Sequence, residues 1–228
     1  MNSQGSKTQL VFGTLLRLIL GIGAIMALLF LPAGTFNYWQ AWGFLGILIL
    51  FVLPLAFYLY TKNPEMLARR LKTSEKTKSQ RWIISIFALL LIAEFLLPGF
   101  DKRWGWSTVP VVIVLAADLF AIAAYLLYFL VIRENSYASR VIEVTEGQKV
   151  ISSGPYAVVR HPMYTSMMLM FLAMPLALGS YWALIPAALC IPVYAFRILD
   201  EEKMLMRELE GYIEYTQKVK YRLIPGIW

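Results

Sequence analysis

The sequence predicts an all-α fold: a polytopic helical bundle embedded in a membrane, with about six spans. Three observations point there. The chain is 59% hydrophobic and only 15% charged, where a soluble domain carries roughly a quarter charged residues, and its mean hydropathy is +0.63. Its apolar runs are long enough to cross the hydrocarbon core, which takes about 20 helical residues. They are also continuous rather than alternating with period two, which argues against a strand barrel.

Taken in order, the runs are Leu10–Leu31, Trp39–Tyr60, Trp82–Pro98, Val109–Ile132, Met163–Leu178 and Trp182–Leu199. The first is too long for the apolar core of a cleaved signal, and no small-residue cleavage pattern follows it, so it is expected to be retained. The link after it, Pro32-Ala33-Gly34-Thr35-Phe36-Asn37-Tyr38-Trp39, is a turn whose aromatics suit a membrane interface, as do Trp104, Trp106 and Trp182. After the second run, Asn63-Pro64-Glu65 reads as a helix cap with proline at the first helical position. The basic loop to Arg81 is expected to lie against lipid headgroups. The fifth run is short, so the last two form either full spans or a tight helical hairpin. Glu94 and Asp118 fall inside the third and fourth runs. Intramembrane carboxylates are costly and often functional. Glu94 sits near one end of its span, where snorkelling accounts for it; for Asp118 a neutral buried carboxyl, a hydrogen bond within the bundle and a cavity role all stay open.

The cations set the orientation. Lys7, Arg17, the cluster Lys62, Arg69, Arg70, Lys72, Lys76, Lys78 and Arg81, the group Arg133, Arg140, Lys149 and Arg160, and the tail residues from Arg197 onward all fall on one side of a six-span chain. Of the 21 lysines and arginines, only Lys102 and Arg103 fall on the other. Both termini are therefore expected in the cytoplasm. The net charge of +7 is then a topology signature and not a nucleic-acid footprint, since no folded basic face accompanies it. The one cysteine, Cys190, permits no intrachain disulfide and reads as a small buried hydrophobe. One histidine and one cysteine far apart build no zinc site, so no metal is expected.

Polar residues gather in two stretches on the cation-rich side, Arg133–His161 and Arg197–Trp228, and the chemistry is expected between them. The single histidine lies in Gly154-Pro155-Tyr156-Ala157-Val158-Val159-Arg160-His161-Pro162-Met163-Tyr164. Pro162 disfavours helix for His161 and suits a first helical position, so it should open the fifth run. A helix start with Arg160 beside it is a seat for an anion, and Tyr164 stands in the first turn with a hydroxyl. Ser153-Gly154-Pro155-Tyr156 is a turn signal that can bring Gln148–Ile151 alongside. Arg197 and Glu201 are four apart and share a helix face; on spacing alone they read equally well as a surface ion pair beside the acidic edge of Asp200 and Glu202.

The pattern Gly154-x-Tyr156-x-x-x-Arg160-His161-Pro162-x-Tyr164, then Arg197-x-x-x-Glu201-Glu202, then Gly211-Tyr212-x-x-Tyr215, resembles the isoprenylcysteine carboxyl methyltransferase family. That family belongs to a wider membrane group that includes phospholipid methyltransferases, and the ending Tyr221–Trp228 is similar to that of bacterial members. The resemblance implies a membrane methyltransferase using S-adenosylmethionine at the cytoplasmic face, in a bacterial inner membrane. It divides the chain into a scaffold, residues 1–132, and a methyltransferase-like region, residues 133–228. It implies cofactor contacts from Gln148, Lys149, Val150, Ile151, Tyr156, His161, Pro162, Met163, Tyr164 and Glu201. The family often has histidine where Gln148 stands, and the Met163 position varies. Arg197 matches the arginine near the methyl-accepting group.

Methyl transfer from a sulfonium needs mainly positioning and electrostatics. A carboxylate acceptor is already a nucleophile at neutral pH, and Arg197 would orient it. An amine or thiol acceptor would need a base, Glu202 or Glu201. The expected partners are membrane lipids and a lipophilic small molecule or lipid-modified acceptor entering laterally from the bilayer. Two other classes compete. Sterol-type reductases using NADPH carry a similar Arg-His-Pro-x-Tyr element, but usually with asparagine at the Met163 position. A non-catalytic membrane scaffold is the third.

Overall fold

The computed structural model describes residues 3–71, 78–138 and 144–228, and every regular element among them is helical. Of the cations expected in the cytoplasm, Lys72, Lys76 and Arg140 lie outside the described residues, as do the side chains of Lys7 and Lys78. The elements are α1 (Ser3–Ala33), α2 (Trp39–Lys62), α3 (Pro64–Arg70), α4 (Lys78–Trp104), α5 (Val111–Glu134), a 3-10 turn (Gly154–Ala157), α6 (Pro162–Ala177), α7 (Leu184–Glu208) and α8 (Tyr212–Lys218).

Among the described residues, four helical stretches are long and apolar enough to cross a membrane: Gln9–Ala33, Trp39–Lys62, Gln80–Trp104 and Val111–Glu134. A helix satisfies its own backbone hydrogen bonds, which is why uninterrupted apolar sequence takes this form in lipid. Their outer faces stay apolar and exposed, with Phe12, Ile19, Leu50, Phe57, Leu89, Val112 and Leu119 uncovered by protein. Such a continuous apolar surface is what a bilayer covers and water does not tolerate.

The last two predicted spans differ from the first four. The fifth, expected over Met163–Leu178, is the 16-residue α6. At 1.5 Å per residue it reaches roughly 24 Å, short of a hydrocarbon core of about 30 Å. The sixth is the apolar part of α7, which continues past it as a charged helix through Asp200, Glu201 and Glu202 to Glu208. The two make a helical hairpin, joined through residues 178–183, packed against α5 and α4.

The bundle has two distinct ends. At one, Trp104, Trp106 and Trp182 form an exposed aromatic run, with ring centroids 5.1 and 6.3 Å apart in succession. Asp101 fastens this end: it accepts from the Ser107 amide at 2.7 Å and from the Ser180 hydroxyl at 2.5 Å, tying α4 to the hairpin link. Tyr38 donates to the Leu178 carbonyl at 2.6 Å for the same effect from the α1–α2 link. Gly99 lets α1 and α4 touch, since a Cβ there would lie 2.5 Å from the Leu29 carbonyl oxygen. The other end holds α3, the segment after α5, the 3-10 turn, α8 and the C-terminal tail, and there the polar residues collect.

At that end α3 begins as its sequence predicts. Pro64 is the first helical residue, and the Asn63 side chain accepts from the Met66 amide at 3.0 Å. From α3, Arg69 donates to the Ser136 carbonyl at 2.7 Å and Arg70 to the Ala138 carbonyl at 3.2 Å, while Arg70 also meets the Tyr128 hydroxyl. The short helix therefore pins the stretch that leaves α5, and that stretch forms part of a cavity wall.

Glu94 does not snorkel. It is fully buried, and neither carboxylate oxygen has a hydrogen-bond partner among the described residues. Asp118 is partly buried with one oxygen likewise unpartnered, and it lies away from the polar-end cavity. Cys190 is buried and free, as a small hydrophobe should be.

Candidate functional site

Three chain segments converge on the start of α6. Pro162 occupies its first position, and His161, at φ −126°, caps it without helical geometry. The tail from Val219 onward runs beside this junction in the same direction. The Arg160 amide donates to the Tyr221 carbonyl and the His161 amide to the Arg222 carbonyl, both at 2.9 Å. One turn into α6, the Thr165 hydroxyl donates to the Leu223 carbonyl at 2.9 Å. The Arg160 guanidinium adds bonds to the Val219 and Lys220 carbonyls at 3.2 and 3.3 Å. Backbone amides that proline chemistry excludes from the helix are thus satisfied by the tail.

Beneath this junction lies Glu202, only 3% exposed. Its Oε1 receives Arg160 Nε at 2.7 Å and sits 3.2 Å from His161 Nε2; its Oε2 receives Arg222 Nε at 2.8 Å. Burial alone would raise the carboxyl's pKa. The hydrogen bonds from His161 and Arg222 and the charges of His161 and Arg160 outweigh it and bring the value down to about 2. A carboxylate so weakly basic, held from both sides and off the cavity wall, is not placed to take a proton from an acceptor. Of the two acids expected as a base, Glu201 lies on the cavity wall, and the position of Glu202 makes it the anchor of the junction.

The wall itself is built from the neighbouring turn of α7 and from α6. Tyr164 donates its hydroxyl to Glu201 Oε2 at 2.6 Å and accepts from Arg197 Nε at 3.0 Å. Arg197 is further held by Gln80 of α4, its Nη1 donating to the amide oxygen at 2.7 Å, and Gln80 in turn donates to Asp200. So Arg197 and Glu201 share a helix face, as their spacing predicts, but they are joined through a tyrosine from another helix and are more than a surface ion pair.

Opposite them stands the segment before α6. Gly154, at φ 56°, starts the 3-10 turn in a conformation that suits glycine, and a Cβ there would press on Glu134 at 3.1 Å. The turn buries Tyr156, whose hydroxyl accepts from Asn135 at 2.9 Å and whose carbonyl accepts from the Tyr215 hydroxyl at 2.7 Å. Burial is the main cause pushing the Tyr156 phenol up to about 12. Gln148 accepts from the Thr145 amide at 3.0 Å and the Thr145 hydroxyl at 3.2 Å, which commits its carbonyl oxygen and leaves its amide N–H groups as the donor end.

Between these segments opens a cavity of about 810 Å³, part of it open to solvent. Its walls include Gln148, Lys149, Val150, Ile151, Tyr156, His161, Met163, Tyr164, Arg197 and Glu201. The sequence-predicted residues are therefore brought together, with two exceptions. Pro162 is buried behind the wall and Glu202 anchors it. The wall also includes Asn135, Tyr137, Ala138, Met204, Leu205, Leu209, Tyr212 and Tyr215. Sequence reasoning did not assign these to the site. Tyr212 and Tyr215 belong to the motif that carries the resemblance, and Met204, Leu205 and Leu209 are the apolar continuation of the Glu201 face of α7; those were the available signals.

The donor set suits an elongated ligand with one charged and one apolar half. Arg160, His161 and Glu201 offer charge and hydrogen bonds at one part of the cavity; Val150, Leu205 and Leu209 offer apolar surface at another. Among the described residues no group of three or more His, Cys, Asp or Glu side chains could hold a metal ion.

Residues 111–211 match the family model of the phospholipid methyltransferases, the same membrane methyltransferase group as the isoprenylcysteine carboxyl methyltransferases. The match runs from the start of α5 to the glycine before α8 and takes in α6, α7 and the segment carrying Gln148–Tyr156. The likeness of this region is to membrane methyltransferases. No curated protein matches the chain.

Proposed function

We propose that the protein transfers a methyl group from S-adenosylmethionine to a lipophilic acceptor at the cytoplasmic face of a bacterial inner membrane, and that the acceptor atom is a carboxylate oxygen. The observation that carries this reading is the cavity at the polar end of the bundle, where Gln148–Ile151, Tyr156, His161, Tyr164, Arg197 and Glu201 meet inside the family-matched region.

The methyl donor, when bound, supplies a carbon already activated by its sulfonium. The protein's residues bind and orient. His161 and the start of α6 suit the donor's carboxylate, Glu201 suits its ammonium or ribose hydroxyls, and Gln148 presents an amide donor. Arg197, its plane fixed by Tyr164 and Gln80, offers a rigid cation to an acceptor carboxylate. No base is then required. The exposed apolar helices and the cavity's place at the bundle end favour an acceptor delivered from the bilayer.

The name of the matched family favours a second reading, in which the acceptor is an amine such as that of a phospholipid headgroup. Glu201, on the cavity wall, is then the base. Incubation with labelled S-adenosylmethionine and a total lipid and membrane-protein extract separates the two. Base-labile label indicates an ester; base-stable label in the lipid fraction indicates an amine. Titration showing preference for NADPH over S-adenosylmethionine overturns both in favour of a reductase.

A further inference from the structure

Five tyrosines stand on the cavity wall, and four have their hydroxyls committed to the protein, Tyr137 by donating to the Gly147 carbonyl at 3.3 Å. Tyr164 joins Glu201 to Arg197, Tyr156 accepts from Asn135, and Tyr215 donates to the Tyr156 carbonyl. Tyr212 is different. Its side chain is 4% exposed, its ring flanks the cavity, and its hydroxyl is shut off from bulk water with no hydrogen-bond partner among the described residues. A buried hydroxyl left unpaired costs on the order of 1–3 kcal/mol, and most such groups in native proteins have a partner.

The backbone around Tyr212 holds it there. Gly211 takes φ 79° and turns the chain out of α7, and the start of α8 lies against Val150, whose methyl is 3.9 Å from where a Gly211 Cβ would stand. The Tyr212 ring packs 5.7 Å from that of Tyr215, within an apolar cluster with Leu205, Leu209 and Val219 that Val150 and Met204 extend. The ring is therefore fixed by packing, and the hydroxyl does no work in that packing. Burial first, and then the nearby Glu202 and Glu201 carboxylates, push its pKa up, so the group keeps its proton and acts as a donor.

We infer that the Tyr212 hydroxyl is a ligand-binding group of the cavity, and that it donates a hydrogen bond to the adenosine half of the methyl donor. This rests on the methyl-donor reading above and adds to it a residue from beyond the family-matched segment. The apolar surroundings assign the half. Val150, Met204, Leu205 and Leu209 suit the flat face of a purine and its ribose, while Arg160 and His161, which suit the donor's carboxylate, lie at the α6 junction. A ring nitrogen or a ribose oxygen supplies the acceptor that the protein does not.

The test uses the full chain in detergent, wild type and Tyr212→Phe, titrated calorimetrically with S-adenosylhomocysteine and with 5′-methylthioadenosine, which keeps the adenosine half and lacks the amino-acid half. Removing one hydrogen bond should weaken both ligands by the same factor, about five- to tenfold. The ligand-free variant should melt at the wild-type temperature or slightly above it, because a buried orphan hydroxyl has been removed. Unchanged affinity for both ligands overturns the inference. So does weakening of S-adenosylhomocysteine alone, which would put the hydroxyl on the amino-acid half. A ligand-free variant that melts several degrees lower also overturns it, by giving the hydroxyl a structural partner. Wild-type protein that binds neither ligand overturns the methyl-donor reading itself, and is thereby told apart from a failure of Tyr212.

Discussion

Arg160 and Glu202 form a buried ion pair, Nε to Oε1 at 2.7 Å, with side chains only 7% and 3% exposed. The other carboxylate oxygen is taken by Arg222 from the tail. One anion thus holds the residue before the histidine, the histidine itself and the C-terminal segment in register. Charges removed from water in this way are costly to leave single, and deleting one partner of a buried pair typically costs about 3–5 kcal/mol.

Glu202→Gln should therefore destabilise the protein by about 3 kcal/mol, with Arg160 left in a low-dielectric site beside a neutral amide. Thermal or denaturant unfolding in detergent checks this. A variant as stable as wild type would mean that the anchor does not hold the tail.

The same carboxylate gives an acid limb to stability. Its pKa falls from 4.5 in the unfolded chain to about 2 in the fold, so the folded state binds fewer protons between those values. The stabilisation is fully present above pH 4.5 and is lost as pH falls through 4.5 toward 2. Melting temperature measured across this window should drop in the wild type, and the drop should be shallower in Glu202→Gln, which has no carboxyl to titrate.

His161→Ala and Glu201→Ala should each weaken S-adenosylmethionine binding at least about tenfold, near 1.4 kcal/mol. For His161→Ala part of the effect arises through Glu202, so the melting temperature is measured alongside the calorimetric titration. Unchanged binding in a well-folded His161→Ala protein would remove the histidine from the site.

On the proposed reading, in which the Arg197 guanidinium held by Tyr164 and Gln80 orients the acceptor, Arg197→Ala should lower turnover more than it lowers donor affinity. Tyr164→Phe should share that pattern in weaker form, by releasing one of the bonds that fix the plane. Parallel measurement of kcat and of donor Kd separates the effects. A loss confined to donor affinity would exchange the roles of Arg197 and Glu201.

Gly99→Ala should destabilise the scaffold without touching the cavity. The new methyl meets the Leu29 carbonyl at 2.5 Å, a backbone atom that can yield only if α1 and α4 separate. Overpacking of this kind costs about 1–3 kcal/mol. Lower melting temperature with unchanged donor affinity is the expected result.

What the sequence made legible was local. Pro162 opens α6 and Pro64 opens α3 with Asn63 as its cap, because proline and asparagine act on the backbone within a few residues. The first four spans announce themselves by length and apolarity alone. Arg197 and Glu201 share a face because four residues make about one helical turn. The remainder depends on contacts between segments far apart in the chain. Nothing local distinguishes Glu202 from Glu201, yet one residue of rotation, about 100°, sends the first into a cage of cations and the second to the cavity wall. Glu94 misled for a related reason: depth along a helix is legible in sequence, but the helix that covers it is not. Tyr212 could be located by motif, whereas the absence of a partner for its hydroxyl is visible only once the whole wall is assembled.

The pairing of the tail with the α6 junction also orders events during synthesis. All the membrane-crossing helices and the α6–α7 hairpin precede Val219 in the chain, whereas the carbonyls that receive Arg160 and His161 come from Tyr221 and Arg222. The bundle can be threaded into the bilayer and packed before those carbonyls exist. The histidine is set in place only when the tail arrives, so insertion and the assembly of a competent pocket are separated in time, and a nascent chain has a scaffold well before it has a site.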